Sequence, residues 1–175
     1  MEANSDLKSI IGDTLLKCKD GKIETVSFED WQKEFAKGEY LCFYFGAHWA
    51  PPCRIFTTQL NETLYSKVNT EADGKKIEVI FVTHDREQSH FDRNFKLMPW
   101  MSIDFKDDHR RATLGSKFGV CELPTLVVCD KNGKLITHDA RDGVAKGAKV
   151  LDEWKDLAEK ANAPVEEAKQ NEIVS

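Results

Sequence analysis

The sequence of 175 residues lacks a basic surplus, a long apolar run and an even set of cysteines, and each shortage excludes something. Thirty acidic against 25 basic residues leave a net charge of −5. A nucleic-acid-binding surface is therefore not expected, because phosphate contacts demand clustered Lys and Arg. No apolar stretch approaches the roughly 20 residues that cross a bilayer, and the longest, residues 40–47, has the length of a buried strand. The first residues read Met1-Glu2-Ala3-Asn4-Ser5-Asp6, with no basic start and no apolar stretch before a cleavage site, so no secretory signal is expected. Five Cys at irregular spacing, in a chain large enough to do without staples, predict reduced thiols and a cytoplasmic setting. No internal repeat is present.

What the chain does contain suits one globular domain. Ten Phe and four Trp supply a core, which excludes disorder over the whole length. Residues 15–26 read as a hairpin turning at Asp20-Gly21. Ser27 reads as a helix N-cap, with Val26 and Trp31 placed as a staple and the helix ending near Lys37 and Gly38. Residues 40–45 form an unbroken apolar strand of the kind buried on both faces. After a turn over residues 46–52, Phe56, Leu60, Leu64 and Val68 recur every four positions and predict one long helix.

Residues 77–83 read as a second buried strand. Asp85 is expected to cap the helix that carries Phe91 and Phe95, with Gln88 at the capping-box position, and Met98-Pro99-Trp100 ends that helix. A helix over residues 108–118, capped at Asp107-Asp108, precedes Gly119. Strands over residues 125–129 and 134–137 flank a turn at residues 130–133, and a last helix covers residues 149–161. Residues 162–175, acidic and without aromatics, read as a mobile tail behind a domain of residues 1–161. Strands alternating with helices, closed by a hairpin and a helix, predict an α/β three-layer sandwich. Its mixed sheet has parallel early strands and an antiparallel edge hairpin, in the thioredoxin-like pattern.

The informative segment is Phe45-Gly46-Ala47-His48-Trp49-Ala50-Pro51-Pro52-Cys53-Arg54, which leaves a buried strand and enters a helix at the carboxyl end of the sheet. A thiol in the first turn of a helix meets the positive end of the macrodipole, which favours thiolate. Disulfide exchange needs an exposed nucleophilic Cys there and a second Cys one turn later to resolve the mixed disulfide. The segment is similar to the Trp-Cys-Pro-Pro-Cys-Arg site of the tryparedoxin and nucleoredoxin branch of the thioredoxin family. The likeness runs from about Leu7 to Gly147. Lys96-Leu97-Met98-Pro99-Trp100 resembles a stretch typical of that branch. So does Phe118-Gly119-Val120 followed by Leu123-Pro124-Thr125, where the family carries a cis-proline facing its site.

The resemblance implies dithiol–disulfide exchange on protein disulfide or dithiol substrates, with no organic cofactor or metal. It also implies a substrate groove shaped by Trp49, Pro51, Pro52 and Pro124. One departure stands against this: Ala50 occupies the position of the first cysteine, and Cys53 that of the resolving one. Residues 50 and 53 cannot form a disulfide, so the two-thiol cycle is disabled or reduced. Three readings are open: an engineered Cys-to-Ala change, a natural member turned redox-silent binding or scaffold module, and a monothiol enzyme working through Cys53.

Cys121, three residues before Pro124, is a candidate substitute partner for Cys53, subject to a Cα separation within about 7 Å. Cys42 and Cys129 read as core residues, and Cys18 has no evident partner. His48 is expected as an exposed loop residue. His84, His90, His109 and His138 show no spacing that completes a zinc site with Cys53 and His48. Trp100 reads as core or groove wall, and Arg141-Asp142-Gly143 as a solvated loop. Tyr44 stands where ordinary thioredoxins carry a buried Asp that assists proton transfer, a replacement that the tryparedoxin branch also tolerates.

Overall fold

The computed structural model describes residues 5–72 and 74–162. The tail assigned to residues 162–175 therefore falls, from residue 163 onward, outside the described residues. The chain runs α1 (Ser5–Ile11), β1 (Thr14–Lys19), β2 (Lys22–Ser27), α2 (Phe28–Glu34), β3 (Tyr40–Gly46) and α3 (Pro51–Gln59). A π-helical turn over Leu60–Tyr65 joins α3 to the short α4 (Ser66–Val68). Then come β4 (Ile77–Thr83), α5 (Gln88–Phe95), β5 (Met101–Ser102), α6 (Asp108–Lys117), β6 (Thr125–Asp130) and β7 (Leu135–Thr137). A 3₁₀ segment over Asp142–Lys149 leads into α7 (Val150–Ala161).

The seven strands make one mixed sheet in the order β2-β1-β5-β4-β3-β6-β7. As expected, β3 and β4 are parallel and β6 and β7 close the edge as an antiparallel hairpin; β5 adds a further parallel neighbour to β4. All seven residues of β3 and all seven of β4 are buried, because helices cover both faces of the sheet. Strand alternation divides the core in two. Cys42, Tyr44, Phe56, Phe81, Trp100 and Trp154 fill one side. Trp31, Leu41, Phe43, Phe45, Ile80 and Phe118 fill the other.

Local chemistry accounts for several elements. Asp20 (φ 53°) and Gly21 (φ 77°) supply the positive φ angles of the tight turn between β1 and β2. The Ser27 hydroxyl accepts the Asp30 N–H at 3.1 Å, and Asp107 accepts that of Arg110 at 3.2 Å, so both residues cap their helices.

Three expectations are corrected. Asp85 does not cap α5: that helix is entered from Glu87, which makes no side-chain capping bond, and Gln88 instead donates to Asp92 at 2.8 Å. The stripe Phe56, Leu60, Leu64 and Val68 is buried throughout, yet the helix loosens to a π turn in its middle. There Tyr65 also turns inward, with its ring 5.3 Å from that of Trp100, so more of the helix is buried than a regular 3.6-residue stripe accommodates. Gly147 (φ 65°) packs against the same turn, where a Cβ would come within 3.1 Å of the Thr63 carbonyl oxygen. The third correction adds α1 and β5 to the predicted elements. β5 offers two residues and no periodicity, and forms because Met101 and Ser102 pair with Ile80 and Phe81, while Ser102 also faces Leu16 of β1.

Candidate active site

β3 ends at Gly46 and the chain turns through residues 46–50 into α3, whose first two positions are Pro51 and Pro52. Proline suits these positions, where a helix has no use for the missing N–H. Ala50 is the N-cap residue; it is buried and has no side chain to cap with. Its carbonyl accepts the Cys53 N–H at 2.9 Å.

Cys53 faces inward from the first turn of α3 and is 2% exposed. Beneath it, the Tyr44 hydroxyl donates to the Cys53 carbonyl at 2.9 Å and shares a 2.7 Å hydrogen bond with the Thr57 hydroxyl. Tyr44 thus ties the floor strand to the first turns of the helix. Burial pushes the Cys53 thiol up, opposed by the backbone at Ala47 and the positive charge of Arg141, while the Asp85 charge adds to the rise. Burial likewise raises the Tyr44 hydroxyl, so that it stays protonated.

Trp49 projects from the loop, 51% exposed. Its indole N–H donates to the His84 carbonyl at 3.2 Å, and the Arg86 guanidinium lies 5.6 Å from its ring centre. Beside it opens a groove of about 530 Å³, walled by Trp49, Ala50, Pro51 and Pro52 on one side and by Val120, Cys121 and Leu123 on the other. The Leu123–Pro124 bond is cis, as expected. Pro124 itself lines an adjoining cavity, also of about 530 Å³, together with Lys117, His138 and Arg141. Cys121 belongs to both.

The predicted site residues are thus sorted. Trp49, Ala50, Pro51 and Pro52 share the groove, Cys53 lies beneath the loop, and Pro124 stands one cavity further on. Cys121 is exposed and Cys53 buried, and both thiols are free. Cys42 and Cys129 are core residues as expected, on opposite faces of the sheet. Trp100 is core.

Two loop residues differ from expectation. His48 is half-buried, its ring 5.5 Å from that of His90 on α5. Arg141 is half-buried against the Pro124 cavity rather than solvated. His84, flanking the groove, has its pKa lowered by partial burial and by the charge of Arg111. Sequence reasoning also missed the place of Asp85, whose carboxylate accepts the His48 N–H at 2.6 Å. The available signal was Thr83-His84-Asp85 at the end of a buried strand, three polar residues where the chain leaves the sheet.

Among the described residues, no group of three or more His, Cys, Asp and Glu side chains is arranged to hold a metal, and no helix is long and apolar enough to cross a membrane. A family profile described as thioredoxin-like matches residues 38–135. Nucleoredoxin of Bos taurus is 37% identical over 134 residues, which is 77% of this chain but 28% of that protein. Tryparedoxin I from Crithidia fasciculata superposes with a TM-score of 0.66 at 35% identity, covering 81% of this chain and 92% of the other. A tryparedoxin II complexed with glutathionylspermidine superposes at 0.65 with 30% identity, covering 81% and 92%. The mixed seven-strand sheet flanked by helices fits these likenesses, and the chain belongs to the thioredoxin superfamily, in its tryparedoxin and nucleoredoxin-like branch.

Proposed function

We propose that residues 1–161 carry the thiol–disulfide exchange site of this branch with its first step disabled. The observation that carries the reading is Ala50, which stands at the N-cap beside the groove while the one remaining motif thiol, Cys53, is buried. In the parent chemistry a thiolate at position 50 displaces one sulfur of a substrate disulfide and forms a mixed disulfide. The Cys53 thiolate then attacks the sulfur at position 50 and releases the second substrate thiol. The 50–53 disulfide left behind is reduced by an external dithiol. Without a sulfur at position 50 neither bond can form. No resident cofactor is needed, and the partners are protein disulfides or dithiols in the cytoplasm.

The groove and the exposed Trp49 are retained although the nucleophile is not. That favours a second reading, a redox-silent docking module that uses the same surface. Insulin reduction separates the two. The unmodified protein is expected to perform no better than a dithiol blank, and Ala50→Cys to gain activity by orders of magnitude. Substantial activity in the unmodified protein overturns the disabled reading in favour of a monothiol enzyme through Cys53. No gain in Ala50→Cys favours the docking module.

A further inference from the structure

A buried carboxylate is kept only where hydrogen bonds or a counter-charge replace its lost water. Asp85 is 4% exposed and, among the described residues, forms no salt bridge. Its two oxygens serve two different pieces of chain. Oδ1 accepts the His48 N–H at 2.6 Å, and Oδ2 accepts the Thr83 hydroxyl at 2.7 Å. Thr83 Oγ1 accepts the N–H of Asp85 in turn, at 2.9 Å, so the carboxylate cannot swing away from the strand end.

Thr83 is the last residue of β4 and sits opposite Gly46, the last residue of β3. The carboxylate is therefore anchored on one strand and holds the loop that leaves its neighbour. Other contacts join the same two stretches of chain: the His84 N–H to the Gly46 carbonyl at 2.8 Å, the Trp49 indole to the His84 carbonyl, and the tilted ring contact of His48 with His90. Among these contacts, the hydrogen bond from the His48 N–H to the Asp85 carboxylate is part-buried and charge-assisted, and charge-assisted bonds are roughly twice as strong as neutral ones.

We propose that Asp85 is a positioning residue of the exchange site, holding the loop that carries Trp49 and position 50 so that a sulfur at 50 stands in line with both the groove and Cys53. The proposal rests on the exchange reading above and adds to it a residue that touches no reacting atom. Its physical basis is the geometry that sulfur chemistry requires. A 50–53 disulfide needs Cα atoms about 4.4–6.8 Å apart with the Cβ vectors converging. A loop free to move spreads position 50 over placements that do not react, and the rate falls although every sulfur is present. The charge of Asp85 also adds to the rise of the Cys53 thiol, which opposes thiolate formation there. That charge supplies a readout that a purely structural role would not move.

The test has two arms. The first needs no redox activity: hydrogen exchange of the His48 amide in the protein as it stands. Asp85→Ala is expected to speed that exchange by about tenfold or more relative to amides within β3, and Asp85→Asn, which keeps an acceptor oxygen, by less. The second uses the Ala50→Cys protein. There Asp85→Ala is expected to lower kcat for insulin reduction about tenfold with KM little changed. Asp85→Asn is expected to shift the pH profile of Cys53 alkylation to lower pH.

If Asp85→Ala does not fold, Asp85→Asn and Thr83→Val, which removes the hydroxyl holding Oδ2, make the same comparison. Unchanged His48 exchange in every folded variant overturns the proposal. So does faster exchange accompanied by full turnover and an unmoved Cys53 profile. An Ala50→Cys protein without reductase activity overturns the exchange reading, and His48 exchange then still decides whether Asp85 holds the loop.

Discussion

Replacing Tyr44 by Phe removes one oxygen from the floor of the site and nothing else. The ring, 1% exposed, keeps its edge-on contacts with Phe56 at 5.4 Å and Trp100 at 6.2 Å and its tilted contact with Phe81 at 5.3 Å, so packing is conserved. What disappears is the hydroxyl's bond to the Cys53 carbonyl and its bond with Thr57. Each neutral hydrogen bond contributes about 0.5–1.5 kcal/mol net, and a partner left unsatisfied in the interior adds to the loss. Thr57 is half-buried and can turn its hydroxyl toward water, which keeps the total near the middle of the range, at about 2 kcal/mol. For a chain of this size that corresponds to a fall in Tm of roughly 4–8 °C. Urea unfolding at pH 7 measures it as a lower midpoint with an unchanged slope. In a double-mutant cycle, Thr57→Val is expected to cost less in the Tyr44→Phe background than alone. Because the Tyr44 hydroxyl also lowers the Cys53 thiol, alkylation of Cys53 should slow further in the variant. A change in stability within about 0.3 kcal/mol, together with unaltered Cys53 alkylation, would refute the view that Tyr44 ties the strand to the helix.

Cys53 is buried and its thiol is pushed up, whereas Cys121 is exposed on the groove wall. In natively folded protein at neutral pH, iodoacetamide should therefore label Cys121 well before Cys53, read site by site by mass spectrometry; preferential labelling of Cys53 would contradict the buried-resolver picture. Glu78, fully buried on β4, accepts from the Trp31 indole at 2.9 Å and from Lys75 at 3.1 Å, yet burial outweighs these partners and raises its pKa above 4.5. A carboxyl raised on folding favours the folded state below pH 4.5, and that contribution is lost as pH climbs through its folded value. The urea midpoint should accordingly fall with rising pH across that window relative to Glu78→Gln; parallel profiles for the two proteins would show that Glu78 is not the titrating group.

Much of the architecture followed from rules that act over a few residues. The apolar run of β3 implied a strand buried on both faces, Asp20-Gly21 specified a hairpin, and Ser27 and Asp107 announced helix starts that the structure confirms. The inward place of Cys53 was also readable, since it follows two prolines and opens a helix whose apolar stripe faces the sheet. Tertiary structure alone decided which strand end holds the active loop. Asp85 has the sequence mark of a helix cap, but its carboxylate is taken by His48, 37 residues earlier, once β3 and β4 pair. His48 is drawn half under cover by His90 in the same way, and two residues become β5 because strands on either side have edges to satisfy. The π turn needs a core that demands Tyr65 beside Leu64. Local propensity sees the backbone of one segment, whereas a buried polar group takes whichever partner folding brings within reach.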